Sequence, residues 1–179
     1  MYYKETYQSP VGIMTMASDG TNLIGLWNEG QKYHGDTLFK NMVDGNDLPV
    51  FQIIREWLDS YFAGQNPSIS KLPLSTIGSE FRKKVWAILC EIPYGKVITY
   101  GDIARKLATE RNLKSMSAQA VGGAVGHNPI SVIIPCHRVV GSNGSLTGYA
   151  AGIQTKIKLL ELEGVDTSQF FIPKRGTAL

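Results

Sequence analysis

A cysteine followed directly by a histidine and an arginine, Cys136-His137-Arg138, is the part of the chain best suited to nucleophilic chemistry. A thiolate is a far stronger nucleophile than a thiol, and a nearby base or cation lowers a cysteine pKa from about 8.5 toward neutrality. Neighbouring residues on an extended strand point to opposite sides, so the imidazole can reach the sulfur only through a bend or a bridging water. Taken alone, the pair leaves open both a catalytic thiol and a buried structural cysteine.

The elements around this string determine how the cysteine is presented. Val132-Ile133-Ile134 predicts a short strand that leads to it, after a helix that ends at Asn128-Pro129. Pro135 and the glycine-rich segment Gly141-Ser142-Asn143-Gly144 favour a bend on either side of the cysteine. We therefore expect Cys136 at the end of a short strand, beside a turn.

Two short helices precede this region. The sequence predicts a strand over Val97–Tyr100, an amphipathic helix over Gly101–Ala108 and a second helix over Ser115–Gly126. The two helices are typical of a helix-turn-helix, although helix pairs occur in many α-domains. The second helix is rich in small residues, which allow close approach either to a neighbouring helix or to a nucleic-acid groove. Both alternatives remain open, and the glycine spacing does not match a dinucleotide-binding fingerprint.

A third helix, capped by Ser79 and ended by Pro93-Tyr94-Gly95, is predicted with one apolar face. Cys90 has apolar neighbours in this helix, so we expect a buried core thiol there. Two cysteines without a CxxC pair favour reduced thiols, and His34, His127 and His137 show no metal-site spacing. We therefore expect neither a metal nor a cofactor.

The first third of the chain alternates polar and apolar residues around turn signals at Ser9-Pro10 and Ser18-Asp19-Gly20, which predicts short strands joined by hairpins. Helical spacing follows from Val50 to Phe62 and ends at Gly64. The fold class is α+β, with a small strand-rich N-terminal domain over 1–75 and a mainly helical C-terminal domain over 76–179. The second domain contains the helix-turn-helix and the short strand with the cysteine.

Charge and hydropathy narrow the classes of function. Residues 78–165 contain 11 Lys or Arg and 6 Asp or Glu, a balance of +5, whereas the remainder contains 7 and 9, a balance of −2. A polyanion should therefore meet the second half first, although a mildly basic solvated surface would look the same. With no signal peptide and no apolar run long enough for a membrane, we expect a cytoplasmic protein without a membrane partner.

The full string around the cysteine, Ile134-Pro135-Cys136-His137-Arg138-Val139-Val140, resembles the active-site signature of the O6-alkylguanine-DNA alkyltransferases, also called methylated-DNA-protein-cysteine methyltransferases. Further ordered matches extend from about Phe81 to Gly164. They are Tyr94-Gly95-Lys96-Val97, Thr99-Tyr100, Ala120-Val121-Gly122-Gly123, Asn128-Pro129, Gly148-Tyr149 and Leu159-Leu160-x-x-Glu163-Gly164. The N-terminal part is similar to the family's ribonuclease H-like domain mainly through its strands.

The resemblance implies a role for each matching residue. Cys136 would accept the alkyl group, and His137 would take its proton through a water, oriented by Glu163. Asn128 would hold the local turn, and Tyr100 would donate to the guanine O6 and assist nucleotide flipping.

The guanine pocket and the DNA-binding helix follow from the same resemblance. The carbonyls of Cys136 and Val139 would recognise the guanine amine, with Tyr149 and the Ala150 amide lining the pocket. The second helix of the helix-turn-helix would enter the minor groove, and its DNA-binding residues would be Ala118, Gln119, Ala120, Gly122 and Gly123.

The implied activity is a single, irreversible transfer of a methyl or other alkyl group from O6 of guanine, or O4 of thymine, to Cys136 after nucleotide flipping. The implied partner is double-stranded DNA containing O6-alkylguanine, bound by a monomer without a cofactor. Two rival functions are a lesion-binding module, whose known members lack the acceptor cysteine, and a cysteine hydrolase, which would turn over repeatedly and need an oxyanion hole. The structural zinc of some relatives is not expected, because no cysteine precedes Cys90.

One position departs from the family in a testable way. Where this chain has Gln119, the family commonly has an arginine that fills the gap left by the flipped base. Glutamine offers an amide for hydrogen bonds but lacks the charge and length of arginine. We expect Gln119→Arg to tighten binding to duplex DNA, measured by fluorescence anisotropy at one fixed salt concentration. Unchanged or weaker affinity would count against this assignment of Gln119.

Overall fold

The computed structural model describes residues 1–32 and 40–174, so His34 lies outside the described residues. The chain divides into two compact units, of which unit 1 comprises Met1–Ile77 with Pro129–Ile133 and unit 2 comprises Gly78–Asn128 with Ile134–Leu179. A strand-rich N-terminal part and a mainly helical C-terminal part confirm the predicted α+β class. Over the described ranges, no helix combines the length and apolar character that a membrane span requires.

Unit 1 is built on a four-stranded sheet with the order β3-β2-β1-β4. The strands are β1 (Tyr2–Ser9), β2 (Gly12–Ser18), β3 (Leu23–Asn28) and β4 (Met42–Asp44). β2 pairs antiparallel with both β1 and β3, whereas β4 pairs parallel with β1. The two hairpins predicted from the turn signals are therefore confirmed.

The helix α1 (Pro49–Phe62) supplies the apolar face that covers this sheet. Its proline lies at the start, where a missing amide costs nothing, and Gly64 has a φ of +83° just after its end. The helix buries the side chains Val50, Phe51, Ile54, Trp57, Leu58 and Tyr61. This is the helix predicted from the spacing of the apolar residues.

The outer edge of β3 is covered by two other segments of unit 1, so every residue of this strand is buried. The amide of Leu23 donates to the carbonyl of Pro73 at 2.7 Å. The amide of Leu26 donates to Pro129 O at 2.8 Å, and its carbonyl accepts from the amide of Ser131 at 2.9 Å. These bonds satisfy an edge that would otherwise be a template for pairing with another chain.

Unit 2 is mainly helical. Its helices are α2 (Glu80–Cys90), α3 (Tyr100–Glu110), α4 (Ala118–Gly126) and α5 (Ile153–Leu162), and its two strands are β5 (Ile98–Thr99) and β6 (Val139–Val140), which pair in parallel. The predicted strand 97–100 is shorter than expected, because Tyr100 is already the first residue of α3.

Polar side chains determine where three of these helices begin. The hydroxyl of Ser79 caps α2, and that of Ser117 caps α4 by accepting from the amide of Ala120 at 3.2 Å. At the start of α3, Thr99 and Asp102 each accept from the other's amide, at 3.0 and 2.8 Å, in a capping box. α3 and α4, which follow two of these caps, are the two helices of the predicted helix-turn-helix.

The strand predicted over Val132-Ile133-Ile134 is wrong. The amide of Ile133 donates to Ser131 O at 2.8 Å, which closes a three-residue turn on Val132 with a φ of +70°. A γ-turn of this hand is rare and strained, especially on a β-branched residue. Val132, Ile133 and Ile134 are each 3% exposed or less. Burial of this segment therefore overrides the strand preference of its residues.

The prediction for Cys90 is also wrong, because this residue is exposed. The buried face of α2 comprises Val85, Trp86, Ile88 and Leu89, and Cys90 lies one residue beyond it at the end of the helix. Apolar neighbours in sequence do not show on which side of a helix a residue lies.

We expect Trp86→Phe to destabilise unit 2, because its indole donates to the buried carbonyl of Ala124 at 2.8 Å and so joins α2 to α4. Loss of this donor in a buried site should lower the free energy of unfolding by about 1–3 kcal/mol. Trp57→Phe is the control, since the indole of Trp57 donates to the carbonyl of Ser68, an exposed residue, in a bond that is only partly buried. Urea unfolding followed by circular dichroism tests this, and equal losses in both variants would contradict it.

Candidate active site

Cys136 lies in a compact turn that its neighbours create. Pro135 has φ −81° and ψ 63°, and the amide of Cys136 donates across it to Ile134 O at 2.8 Å, which is an inverse γ-turn. Proline favours this φ because its ring restricts the backbone. The residues Cys136–Arg138 then form one turn of 3-10 helix before β6. The bend predicted around the cysteine is present, although the strand before it is not.

The sulfur of Cys136 is buried beside a polar side chain. Cys136 is 6% exposed, and the Asn128 amide donates to its Sγ at 3.1 Å and to Ile134 O at 2.7 Å. Asn128 therefore links the end of α4 to the cysteine turn. Its contact with the sulfur had no signal in the sequence.

Burial raises the pKa of the Cys136 thiol, because a thiolate loses hydration there. The Asn128 amide, the charge of Lys156 and the backbone amides of Cys136 and His137 act in the opposite direction. The Cys136 thiol thus loses its proton less readily than a free cysteine does. The extent of its ionisation depends on these polar neighbours.

His137 and Glu163 form a buried pair. The His137 Nε2 lies 2.6 Å from Glu163 Oε1, and neither side chain is exposed to solvent. Burial lowers the pKa of His137 despite the opposing effect of Glu163, so the imidazole is neutral near pH 7. When a neutral imidazole donates Nε2–H to a carboxylate, Nδ1 carries the lone pair that can accept a proton.

Arg138 holds the same carboxylate. Its Nε donates to Glu163 Oε2 and its Nη2 to Oε1, both at 2.9 Å, while Nη1 donates to Ile92 O at 2.6 Å. The amide of Gly95 adds a fourth donor at 3.1 Å. Burial alone would raise the pKa of Glu163, but the bonds from His137 and Arg138 lower it to about 2.

The guanidinium of Arg138 also lies over the ring of Tyr94, 5.7 Å from its centroid. The order Cys136-His137-Arg138 alone would predict that Arg138 adds positive charge near the thiol. The structure instead directs that charge to Glu163, a residue 25 positions away in the chain. No local pattern signals such a pair.

Lys156, a residue that sequence reasoning missed, lies on α5 with no exposed surface. Its Nζ donates to the carbonyl of Val139 and, at 2.9 Å, to that of Thr147. Burial lowers the pKa of Lys156 to about 8, and the nearby Cys136 opposes this shift.

Two tyrosines lie close to these groups. The Tyr100 hydroxyl donates to Thr147 O at 2.9 Å, and burial together with Cys136 raises the pKa of this phenol. A Cβ on Gly148 would lie 2.7 Å from the same hydroxyl, so only glycine permits this approach. Tyr149 is buried with its ring edge-on to His137 at 6.5 Å, and within the described residues its hydroxyl has no hydrogen-bond partner. Burial raises the pKa of Tyr149 well above its usual value.

The outer face of α4 is formed by small residues. Ala118, Gln119, Ala120 and Gly123 are exposed and Gly122 is partly buried. Side chains of Val121, Ala124 and Val125 form the inner face. Nothing lies within 4 Å of a Cβ built on Gly123 or Gly126, so internal packing does not require glycine there. Of the two alternatives, the open surface favours close approach of an external molecule.

Charge in this part of the chain has one sign. Between Glu110 and Glu161 the sequence contains no acidic residue and five basic ones, which are Arg111, Lys114, Arg138, Lys156 and Lys158. Arg111, Lys114 and Lys158 are exposed, and the stretch includes α4 and the cysteine turn, which favours a polyanionic partner. Over the described ranges, no group of three His, Cys, Asp or Glu side chains is placed to hold a metal ion.

Comparison with known proteins covers both parts of the chain. The family model described as the DNA-binding domain of 6-O-methylguanine DNA methyltransferase matches residues 80–165, and that of its ribonuclease-like domain matches residues 2–76. Methylated-DNA–protein-cysteine methyltransferase of Haemophilus influenzae is 38% identical over 91% of this chain and 87% of its own length. The Methanosarcina acetivorans protein of the same name is 40% identical over 92% of this chain and 99% of its own length.

Solved structures extend this likeness to the fold. The O6-methylguanine methyltransferase of Mycobacterium tuberculosis superposes with a TM-score of 0.76 at 37% identity, covering 98% of this chain and 97% of that chain. The OGT protein of the same organism, solved in complex with DNA, gives a TM-score of 0.75 at 37% identity over 94% of each chain. With such matches over most of its length, the chain belongs to the methylated-DNA–protein-cysteine methyltransferase family of alkylguanine DNA repair proteins.

Proposed function

We propose that the protein transfers an alkyl group from O6 of guanine in double-stranded DNA to Sγ of Cys136, irreversibly and once per molecule. The observation that carries this proposal is the buried sulfur of Cys136 beside the Asn128 amide, next to a histidine hydrogen-bonded to an anionic Glu163. Family membership supplies the substrate class, and this cluster supplies the means of activating a thiol.

The chemical step is a displacement at a saturated carbon. The sulfur lone pair forms the S–C bond, the C–O6 bond breaks, and its electron pair passes to the guanine, which then takes up a proton. A thiolate is a soft nucleophile suited to this carbon, and positioning the two reactants replaces a cofactor. Because water does not hydrolyse a thioether, each molecule would act once.

His137 is the proposed base that takes the thiol proton, through a water molecule. Its lowered pKa keeps the imidazole unprotonated and able to accept, and Glu163 stabilises the imidazolium once it forms. Arg138 holds Glu163 in its ionised form and in one orientation. The positive charge created on His137 thus meets a carboxylate that is already in place.

Tyr100 is the proposed donor to the departing guanine. Its raised pKa keeps the phenol protonated, so that its O–H can donate a hydrogen bond to O6 as negative charge develops there. In the structure this O–H donates to Thr147 O, a bond that the substrate would replace.

Recognition of the purine is proposed for the carbonyls of Cys136 and Val139, with Tyr149 and Ala150 lining the pocket. The carbonyl of Val139 accepts a bond from Lys156, and its second lone pair can accept one from the guanine amine. The thymine O4 lesion would need the same donor from Tyr100, so we include it as a second substrate.

DNA binding is proposed for the small-residue face of α4, acting as a monomer in the minor groove. A helix without bulky side chains can enter this narrow groove closely, and a damaged base is poorly paired, so flipping it costs only a few kcal/mol. Gln119 lies exposed on this face, where it could occupy the gap in the duplex.

The rival with a separate chemistry is a cysteine hydrolase, which the Cys136-His137-Glu163 set would also suit. A hydrolase would release a small ester's alcohol over many turnovers, whereas the proposed transferase would be consumed. A small-ester assay therefore separates the two functions.

We expect incubation with a duplex containing O6-methylguanine to add one methylene to the intact mass of the protein. Cys136→Ser should abolish the gain, because a hydroxyl is far less nucleophilic than a thiol. Cys90→Ser is the matched control and should retain the gain, since this exposed cysteine lies outside the site. A gain that persists in Cys136→Ser, or disappears in Cys90→Ser, would refute Cys136 as the acceptor.

We expect the protein to become less stable as the pH is lowered, because Glu163 then takes up a proton. Its pKa is about 2 in the folded state against a usual value of 4.5, so its contribution is complete above pH 4.5 and is lost as the pH falls toward 2. Glu163→Gln should flatten this part of the stability profile and slow methyl transfer by about 100-fold.

The exposed neighbour Glu161 provides the comparison, because it lies two residues before Glu163 and its carboxylate accepts from the hydroxyl of Thr167 at the surface. Urea unfolding between pH 2 and 7 should show the acid-dependent slope in Glu161→Gln and a reduced slope in Glu163→Gln. An unchanged slope in Glu163→Gln would show that this carboxylate is not the titrating group.

A further inference from the structure

We infer that Lys156 is a positioning residue for the transfer step, whose ammonium serves as the counter-ion of the Cys136 thiolate and holds the wall of the guanine pocket. The inference rests on the proposed role of Cys136 as the nucleophile. It assigns the balancing charge to a residue outside the Cys-His-Arg string.

The burial of Lys156 requires an explanation. Lysine is almost never fully buried unless it is paired, because an isolated ammonium loses its hydration. Lys156 has no exposed surface, yet its hydrogen-bond partners are two neutral carbonyls. In the part of the chain that the structure describes, it forms no ion pair with a carboxylate. Its positive charge is therefore unbalanced while the thiol remains protonated.

The other ionisable groups of the site leave Cys136 as the partner. The charges of Glu163 and Arg138 cancel, since each forms part of the same bidentate pair. Burial keeps His137 neutral, and it keeps the phenols of Tyr100, on α3, and Tyr149, after β6, protonated.

A thiolate at Cys136 would balance the positive charge of Lys156. The Lys156 charge lowers the pKa of Cys136, and Cys136 raises that of Lys156, so each charged form stabilises the other. Because Lys156 carries its charge before the reaction begins, the thiolate finds a stabilising cation already oriented.

The two hydrogen bonds of Lys156 also fix the position of the pocket wall. Its Nζ joins the carbonyl of Val139 on β6 to that of Thr147, the carbonyl that also accepts from the Tyr100 hydroxyl. One ammonium thus connects the strand after the cysteine, the loop that precedes Tyr149 and the first residue of α3. A substitution that removes it would alter both charge and geometry.

The pH profile of the thiol separates the electrostatic role from a structural one. In a Cys90→Ser background, where Cys136 is the only thiol, ionisation is followed by the ultraviolet absorbance of the thiolate, and capture of the thiol by iodoacetamide is followed by intact mass. Lys156→Met should move ionisation to higher pH and slow capture at pH 7 by about tenfold. Lys156→Arg, which retains the charge, should restore most of the rate.

Lys158→Met is the matched control, because it removes a lysine of the same helix that is exposed. Its ionisation profile should equal that of the Cys90→Ser parent. If folded Lys156→Met has the parent profile, or if Lys158→Met shows the larger shift, the inference is overturned. Neither readout contains DNA, so this result is independent of the methyl-transfer test, which can fail or succeed separately.

A reciprocal measurement covers the case in which Lys156→Met does not fold. The titration of Lys156 is followed by carbon NMR of its Cε in the Cys90→Ser protein and in Cys90→Ser/Cys136→Ser. Removing the thiolate should lower the titration midpoint of Lys156, because the buried ammonium then has no anion to balance it. An unchanged midpoint would overturn the inference.

Discussion

The site depends on one buried carboxylate that is fully engaged by its neighbours. Glu163 accepts from Arg138 twice, from the amide of Gly95, and faces the imidazole of His137. A buried charge without partners would be costly, so removing any of these donors leaves the carboxylate of Glu163 less well compensated. The position of the imidazole, and through the backbone that of the adjacent cysteine, follows from this arrangement.

The electrostatics of the site follow from how charge is distributed among a few groups. The Arg138–Glu163 pair is neutral as a whole, His137 is uncharged, and the ammonium of Lys156 remains. Burial disfavours a thiolate, and the polar contacts of Cys136 oppose that effect. Reactivity is therefore a balance between loss of hydration and a small number of oriented dipoles and charges.

Much of the fold could be predicted from the sequence, because its signals are local. Turn residues marked the hairpins, apolar spacing marked α1, and the caps Ser79 and Thr99 begin the helices they precede. The strand predicted at Val132 was wrong, because long-range packing imposes a turn on residues that prefer strands. The predicted burial of Cys90 was wrong, because this residue lies at the end of the helix, at the margin of its buried face.

The candidate site divides in the same way. The cysteine string and the small residues of α4 are contiguous in sequence and could be recognised there. The partner of Arg138 and the burial of Lys156 depend on α5 returning to the cysteine turn, a contact between residues 17 to 25 positions apart. No spacing rule links such residues, so their roles required coordinates.

The path of the chain through Pro129–Ile133 restricts how the protein can be divided. These five residues complete the hydrogen bonding of β3 in unit 1, yet they are encoded between two segments of unit 2. A recombinant fragment ending at Ile77 would leave the amide and carbonyl of Leu26 without hydrogen-bond partners on an open edge strand. Such an edge can pair with another chain and cause aggregation during expression. Domain-swapped chimaeras between relatives should therefore exchange this pentapeptide together with the N-terminal segment.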